Sequence, residues 1–212
     1  MTNNQSEILN DIHCHSVDIK SREIFLHNYF SSIDENPGVE YRMSNIFLKN
    51  LRLLELKSYD PIIIHMHSIG GEWSDGMLIY DSIQMCNCYT TIIGYGQVES
   101  MSSIILQAAD LRLLAQNSYV MVHYGSSGIQ GDYLSNQKWF EYEKHICNTM
   151  LEIYSKRCFK SKFFKDKYVR PDLIKVKNFL SKRLKEGDWY MTAEDAIYHG
   201  FADNIISNWS KI

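Results

Sequence analysis

Two hydrophobic rhythms take turns along this chain. Glu23-Ile24-Phe25-Leu26 reads as a short strand, after which Met43, Phe47, Leu51 and Leu54 recur at the spacing of one helical face. Pro61-Ile62-Ile63-Ile64-His65-Met66 is an almost unbroken apolar run opened by proline. That is the pattern of a strand covered on both faces, and Gly70-Gly71 then breaks it. Ile79, Ile83 and Cys86 share the face of a following helix, residues 90–94 read as the next strand, and residues 101–109 as the next helix. A strand at residues 119–122 ends at His123, and a glycine-rich segment, residues 125–131, leads into a long amphipathic helix over residues 133–155. Beyond a basic stretch at residues 156–167 come a helix near 173–184, a short helix at 193–198 and a strand at 203–206.

Strands alternating with helices predict an α/β domain with a largely parallel sheet, in which function collects where strands turn into helices. Three such turns carry reactive or glycine-rich residues: Gly70-Gly71, Gln97-Val98-Glu99-Ser100-Met101, and His123 with the glycines after it. Only three prolines and no low-complexity linker interrupt the 212 residues, so the whole chain is expected to form one domain.

Composition narrows the classes further. A net charge of −3 gives no overall field toward nucleic acid or anionic membrane, and no apolar run is long enough to span a bilayer. The polar start, Met1 to Glu7, lacks the basic and apolar pattern of a secretory signal, so a cytoplasmic location is expected. Five cysteines without scaffold spacing suit a reducing compartment. Cys86-x-Cys88 is too tight for a zinc knuckle, and neither His13-Cys14-His15 nor His65-x-His67 has an evident further ligand. No metal or cofactor is therefore expected.

Acyl transfer needs a nucleophile, a base and donors aimed at the developing oxyanion. Ser100, between a strand and a helix, suits either a nucleophile or a plain helix N-cap. His123 suits either a base or a hydrogen-bonded strand-end histidine. Spacing alone does not choose between these.

The ordered motifs do choose. Ser21-Arg22-Glu23-Ile24-Phe25-Leu26, His67-Ser68-Ile69-Gly70-Gly71, Gly76-Met77-Leu78-Ile79-Tyr80-Asp81, Gly96-Gln97-Val98-Glu99-Ser100-Met101, Met121-Val122-His123, Gly128-Ile129-Gln130-Gly131, Gly187-Asp188-Trp189-Tyr190-Met191-Thr192-Ala193 and Gly200-Phe201-Ala202-Asp203 follow one another in a known order. From Asp18 to Ile206 the chain resembles the ClpP family, the proteolytic subunits of ATP-dependent Clp proteases. The resemblance implies a ClpP/crotonase-like spiral of ββα units with a protruding handle helix at residues 133–155. It implies Ser100 as nucleophile, His123 as base and Asp188 as orienting acid, with the N–H groups of Gly71 and Met101 as the oxyanion hole. Gly70, Ile129 and Gln130 would hold an extended substrate as an added strand. The implied partners are unfolded polypeptides, further copies of the chain in stacked heptameric rings, and an AAA+ unfoldase.

Several positions depart from the family pattern. Ile69 stands where proline is usual, Glu99 replaces a small residue beside the nucleophile, and Gly187 and Trp189 replace the basic neighbours of Asp188. Glu186 is an alternative acid. The stripe Trp139, Tyr142, Ile146 and Met150 serves equally as a core face or as a ring contact, and the basic, aromatic stretch at residues 159–167 reads as a solvated helix-loop or, less simply, as a surface for RNA or an acidic partner. The competing functions are a ClpP-like protease without an unfoldase, a poorly active structural paralogue, and a crotonase-type acyl-CoA enzyme. The serine in Gly96–Met101 and the strand-end His123 favour the peptidases over the last.

Overall fold

The computed structural model describes residues 3–26 and 38–209. Its centre is an eight-stranded sheet built from β1 (Val17–Asp18), β2 (Glu23–Leu26), β3 (Ile62–Ser68), β4 (Thr90–Glu99), β5 (Leu111–Ala115), β6 (Tyr119–Val122), β7 (Trp189–Thr192) and β8 (Asn204–Ile206). The main path runs β1-β2-β3-β4-β5-β8, while β6 pairs with β4 and β7 pairs with β6. The β1/β2 and β6/β7 pairs are antiparallel and all the others are parallel.

Strand β4 belongs to both branches. Residues Thr91–Gly94 pair with β5, and Gln97–Glu99 pair with β6. The handover falls at glycine for steric reasons. A Cβ on Gly94 would stand 2.6 Å from the Val98 side chain and 2.9 Å from Leu114, and Gly96 has a φ of +51°.

Helix α2 (Tyr41–Lys57) buries Met43, Phe47, Leu51 and Leu54, the predicted face. Burying such a side chain contributes about 1.5–3 kcal/mol. The Glu40 side chain caps its start by accepting from the Met43 N–H at 2.9 Å. At its other end the Arg22 guanidinium donates to the carbonyls of Leu54, Ser58 and Asp60, clamping the entry to β2 against the helix end. Helices α3 (Trp73–Met85) and α4 (Met101–Leu106) follow β3 and β4, as the alternation predicted.

Helix α5 (Tyr133–Cys158) divides by environment. Met150, Leu151, Ile153, Tyr154, Ser155 and Cys158 are buried, whereas Tyr133, Leu134, Trp139, Phe140 and Tyr142 are exposed. Of the expected stripe, only Met150 is core.

Three expectations need correction. Strand β3 is covered fully on one face only: Ile62, Ile64 and Met66 are buried, whereas His67 is exposed. The other face is polar, with His65 bonded to Glu23 at 3.0 Å and to the Tyr95 hydroxyl at 2.9 Å. The Gly128–Gly131 motif, expected from the resemblance to be a strand that pairs with peptide, forms no strand. The basic stretch at residues 159–167 is a solvated helix-loop on its lysine side only, where Lys160, Lys162, Lys165 and Lys167 are exposed. It forms α6 (Lys162–Lys167), whose Phe164 is fully buried. Its aromatics turn inward, with Phe163 and Phe164 meeting Phe179 of α7 (Leu173–Leu184), which removes the stacking surface that an RNA-binding reading would need.

Helix α8 (Ala193–His199) closes the fold ahead of β8. Strands β1, β5 and β7 and helix α1 (Asn3–His15) had no sequence expectation. No helix among the described residues is long and apolar enough to cross a membrane.

Candidate active site

Strand β4 passes into α4 through Ser100, whose backbone sits at φ 52° and ψ −124°. A non-glycine residue in such a region costs about 1–3 kcal/mol and persists only where its surroundings impose it. Here they do. The Ser100 N–H donates to the Met121 carbonyl at 2.8 Å, and the Ser100 carbonyl accepts from the Ser103 N–H at 3.0 Å and the Ser103 hydroxyl at 2.6 Å. On the outer side Gly70 presses against the turn. A Cβ there would lie 2.6 Å from the Ser100 Cβ and 2.8 Å from the Met101 nitrogen, so only glycine fits. Gly76 of α3 likewise leaves room for the Met101 side chain.

Register brings the other groups in. In the β4/β6 pair Glu99 faces Met121, and in the β6/β7 pair Val122 faces Trp189. Moving outward from these pairs reaches Ser100, His123 and Asp188 on three adjacent strands. His123 Nε2 lies 2.8 Å from Ser100 Oγ, and His123 Nδ1 lies 3.5 Å from Asp188 Oδ1. The histidine side chain is 23% exposed and the aspartate 52%. Two strand ends and a turn thus line up hydroxyl, imidazole and carboxylate, with the carboxylate contact the looser of the two. A carboxylate on this side of the ring favours the tautomer with its proton on Nδ1, which would leave Nε2 to accept from a hydroxyl.

Gly71 sits across from Val39. The ladder there uses the Gly70 carbonyl, accepting from the Val39 N–H at 2.5 Å, and the Glu72 N–H, donating to the Val39 carbonyl at 2.8 Å. Among the described residues the Gly71 N–H has no backbone acceptor. The Met101 N–H is the first of α4, where an N–H has no partner within its helix. Glu186 faces Arg183 at 3.9 Å instead of His123, and Glu99 accepts from the Gln97 amide at 3.3 Å. Ile129 and Gln130 lie in the exposed segment after His123 and make no hydrogen bond to the Ser100 turn among the described residues.

Trp189, which replaces a basic residue beside Asp188, supplies a mooring. It is 9% exposed, edge-on to His199 at 4.9 Å and to Phe201 at 5.7 Å, with the Arg183 guanidinium over its ring at 5.2 Å. Tyr124, just past His123, donates its hydroxyl to Ser181 Oγ at 3.0 Å. Helix α7 therefore braces both the His123 and the Asp188 ends. Sequence reasoning missed Ser103 and Tyr154, although Tyr154 continues the α5 stripe four residues beyond Met150. Tyr154 Oη lies 2.6 Å from Ser103 Oγ.

No group of three or more His, Cys, Asp or Glu among the described residues is placed to hold a metal ion. Burial pushes the Cys86 thiol up to about 11, the opposite of what a thiolate ligand needs.

Comparison with known proteins gives the arrangement a lineage. Residues 18–209 match the Clp protease family model. The ATP-dependent Clp protease proteolytic subunit of Deinococcus radiodurans is 28% identical over 171 residues, covering 79% of this chain and 76% of its own. The ATP-dependent Clp protease proteolytic subunit 2 of Pseudomonas aeruginosa is 29% identical over 171 residues, covering 80% and 77%. With nearly the whole described fold inside that match, the chain belongs to the Clp protease family.

Proposed function

We propose that this chain is a serine endopeptidase that cleaves unfolded polypeptides inside a self-compartmentalised ring. Ser100 attacks the scissile carbonyl while His123 Nε2 takes its proton and later returns it to the leaving amine. Asp188 holds the imidazole in the productive tautomer and stabilises its charged form. The N–H groups of Gly71 and Met101 receive the developing oxyanion. Gly70, Ile129 and Gln130 hold substrate as an added strand.

The observation that carries this reading is the 2.8 Å contact of His123 Nε2 with Ser100 Oγ at a strained strand-to-helix turn. It also weighs against the crotonase-type reading, which has no use for a serine and histidine bonded to each other. The exposed apolar half of α5 supports ring stacking through that helix, and family membership supports an AAA+ unfoldase as feeder and a cytoplasmic location. Hydrolysis of a fluorogenic peptide tests the reading. Wild type should cleave it and Ser100→Ala should not, whereas equal rates in the two would end the mechanism.

A further inference from the structure

The Ser100 carbonyl and the Met101 N–H belong to one peptide group, and that group is held from behind by two buried hydroxyls. Ser103 Oγ lies 2.6 Å from the Ser100 carbonyl oxygen and 2.6 Å from Tyr154 Oη. Ser103 is fully buried and Tyr154 is 1% exposed. Bond direction follows from the donor inventory. A carbonyl can only accept, so the one Ser103 proton goes to Ser100; Tyr154 must then donate to Ser103. Burial also pushes the Tyr154 phenol well above the ordinary tyrosine range, against a smaller opposing effect of the Ser103 bond, so the donor keeps its proton at working pH. The edge contact of the Tyr154 ring with Phe201, at 5.2 Å, holds it in place.

We propose that Tyr154 and Ser103 form a hydroxyl relay that polarises the Ser100–Met101 peptide, strengthening the Met101 N–H as oxyanion donor and holding the Ser100 turn in its strained shape. The proposal rests on the reading of Ser100 as nucleophile. Each link is a donor that reinforces the next: Tyr154 O–H sharpens the Ser103 hydroxyl, and Ser103 draws electron density onto the Ser100 oxygen. Amide resonance passes the effect to the Met101 nitrogen. The gain appears when negative charge develops on the substrate oxygen, so it belongs to the transition state more than to substrate binding. Tyr154 and Ser103 are positioning residues, and neither touches substrate.

A double-mutant cycle tests the relay. Tyr154→Phe keeps the ring and its Phe201 contact and removes only the hydroxyl. It should lower kcat about 3- to 10-fold, the rate equivalent of one net hydrogen bond, with KM close to wild type and the thermal midpoint lower by about 2–4 °C. Ser103→Ala should lower kcat further, and adding Tyr154→Phe to it should change nothing, because Tyr154 acts only through Ser103. A wild-type kcat in Tyr154→Phe would overturn the relay, as would the same loss from Tyr154→Phe with and without Ser103. So would a KM effect in place of a kcat effect. Should Ser103→Ala fail to fold, Tyr154→Phe alone decides through its kcat. Failure of the underlying reading looks different: a fluorophosphonate would then leave Ser100 of the wild type unlabelled, and the relay would fall with it.

Discussion

Asp188 is the residue on which the site is least tightly closed. Its carboxylate stands 3.5 Å from His123 Nδ1 and is half exposed, yet it is the acid that the β6/β7 register delivers to the histidine. Glu186 has turned to Arg183. Asp188→Asn should therefore keep the fold while lowering kcat by about 10²–10⁴, the known scale for loss of an orienting acid, and Glu186→Gln should do little. Peptide hydrolysis with a thermal melt of each variant measures both. The reverse pattern would move the acid to Glu186. Unchanged rates in both would reduce the site to a Ser100–His123 dyad.

At the scale of elements, α6, α7, β7 and α8 meet in an aromatic cluster that fixes where Asp188 starts. His199 lies inside it, 4.4 Å from Phe163 and 4.9 Å from Trp189, with Nδ1 donating to the Asp195 carbonyl at 2.8 Å. Burial lowers its pKa below the ordinary value of 6.5, with the Asp195 contact opposing only in part. The unfolded chain thus binds a proton there at a higher pH than the folded one. The stability that His199 lends when neutral is complete above pH 6.5 and is lost as pH falls from there toward the folded pKa. The thermal midpoint of wild type should drop more between pH 7.5 and 5 than that of His199→Gln, and parallel curves would count against it.

The same cluster shows how far sequence reading reached. The helical face of α2 was readable because one side of it is apolar at helical period, and β6 because its apolar run stops at His123. Ser100 and His123 were readable because both sit at strand ends within ordered motifs. Strand β7 was not, since its four residues alternate buried and exposed and contain no turn signal of their own. Helix α6 mixes lysine with phenylalanine, a pattern that reads equally as a wet surface or as an amphipathic helix. Only the partners Phe179, Tyr198 and His199, distant in sequence, decide it. Ser103 was invisible because a small polar residue in a first helical turn says nothing until its partner across the fold is known.

For the whole molecule, the unusual feature is what α5 leaves uncovered. Its last turns are core, yet Tyr133, Leu134, Phe140 and Tyr142 stand exposed along one protruding half. In the proposed ring, contacts with further copies of the chain would cover these side chains. Native mass spectrometry or light scattering at micromolar concentration should find a particle of heptamer or double-heptamer class. A stable monomer would remove the compartment and leave a free peptidase. The 123–131 segment, which runs from His123 toward the start of this helix, forms no strand or helix among the described residues.

The central claim is that Ser100 is a nucleophile activated by His123, and covalent labelling tests it most directly. Wild-type protein is incubated with a fluorophosphonate, digested, and the adduct mapped by mass spectrometry. A single adduct on Ser100, absent in Ser100→Ala and strongly slowed in His123→Ala, is the predicted result. No adduct on Ser100 of a folded wild-type protein, or labelling that is as fast without His123 as with it, would contradict the account.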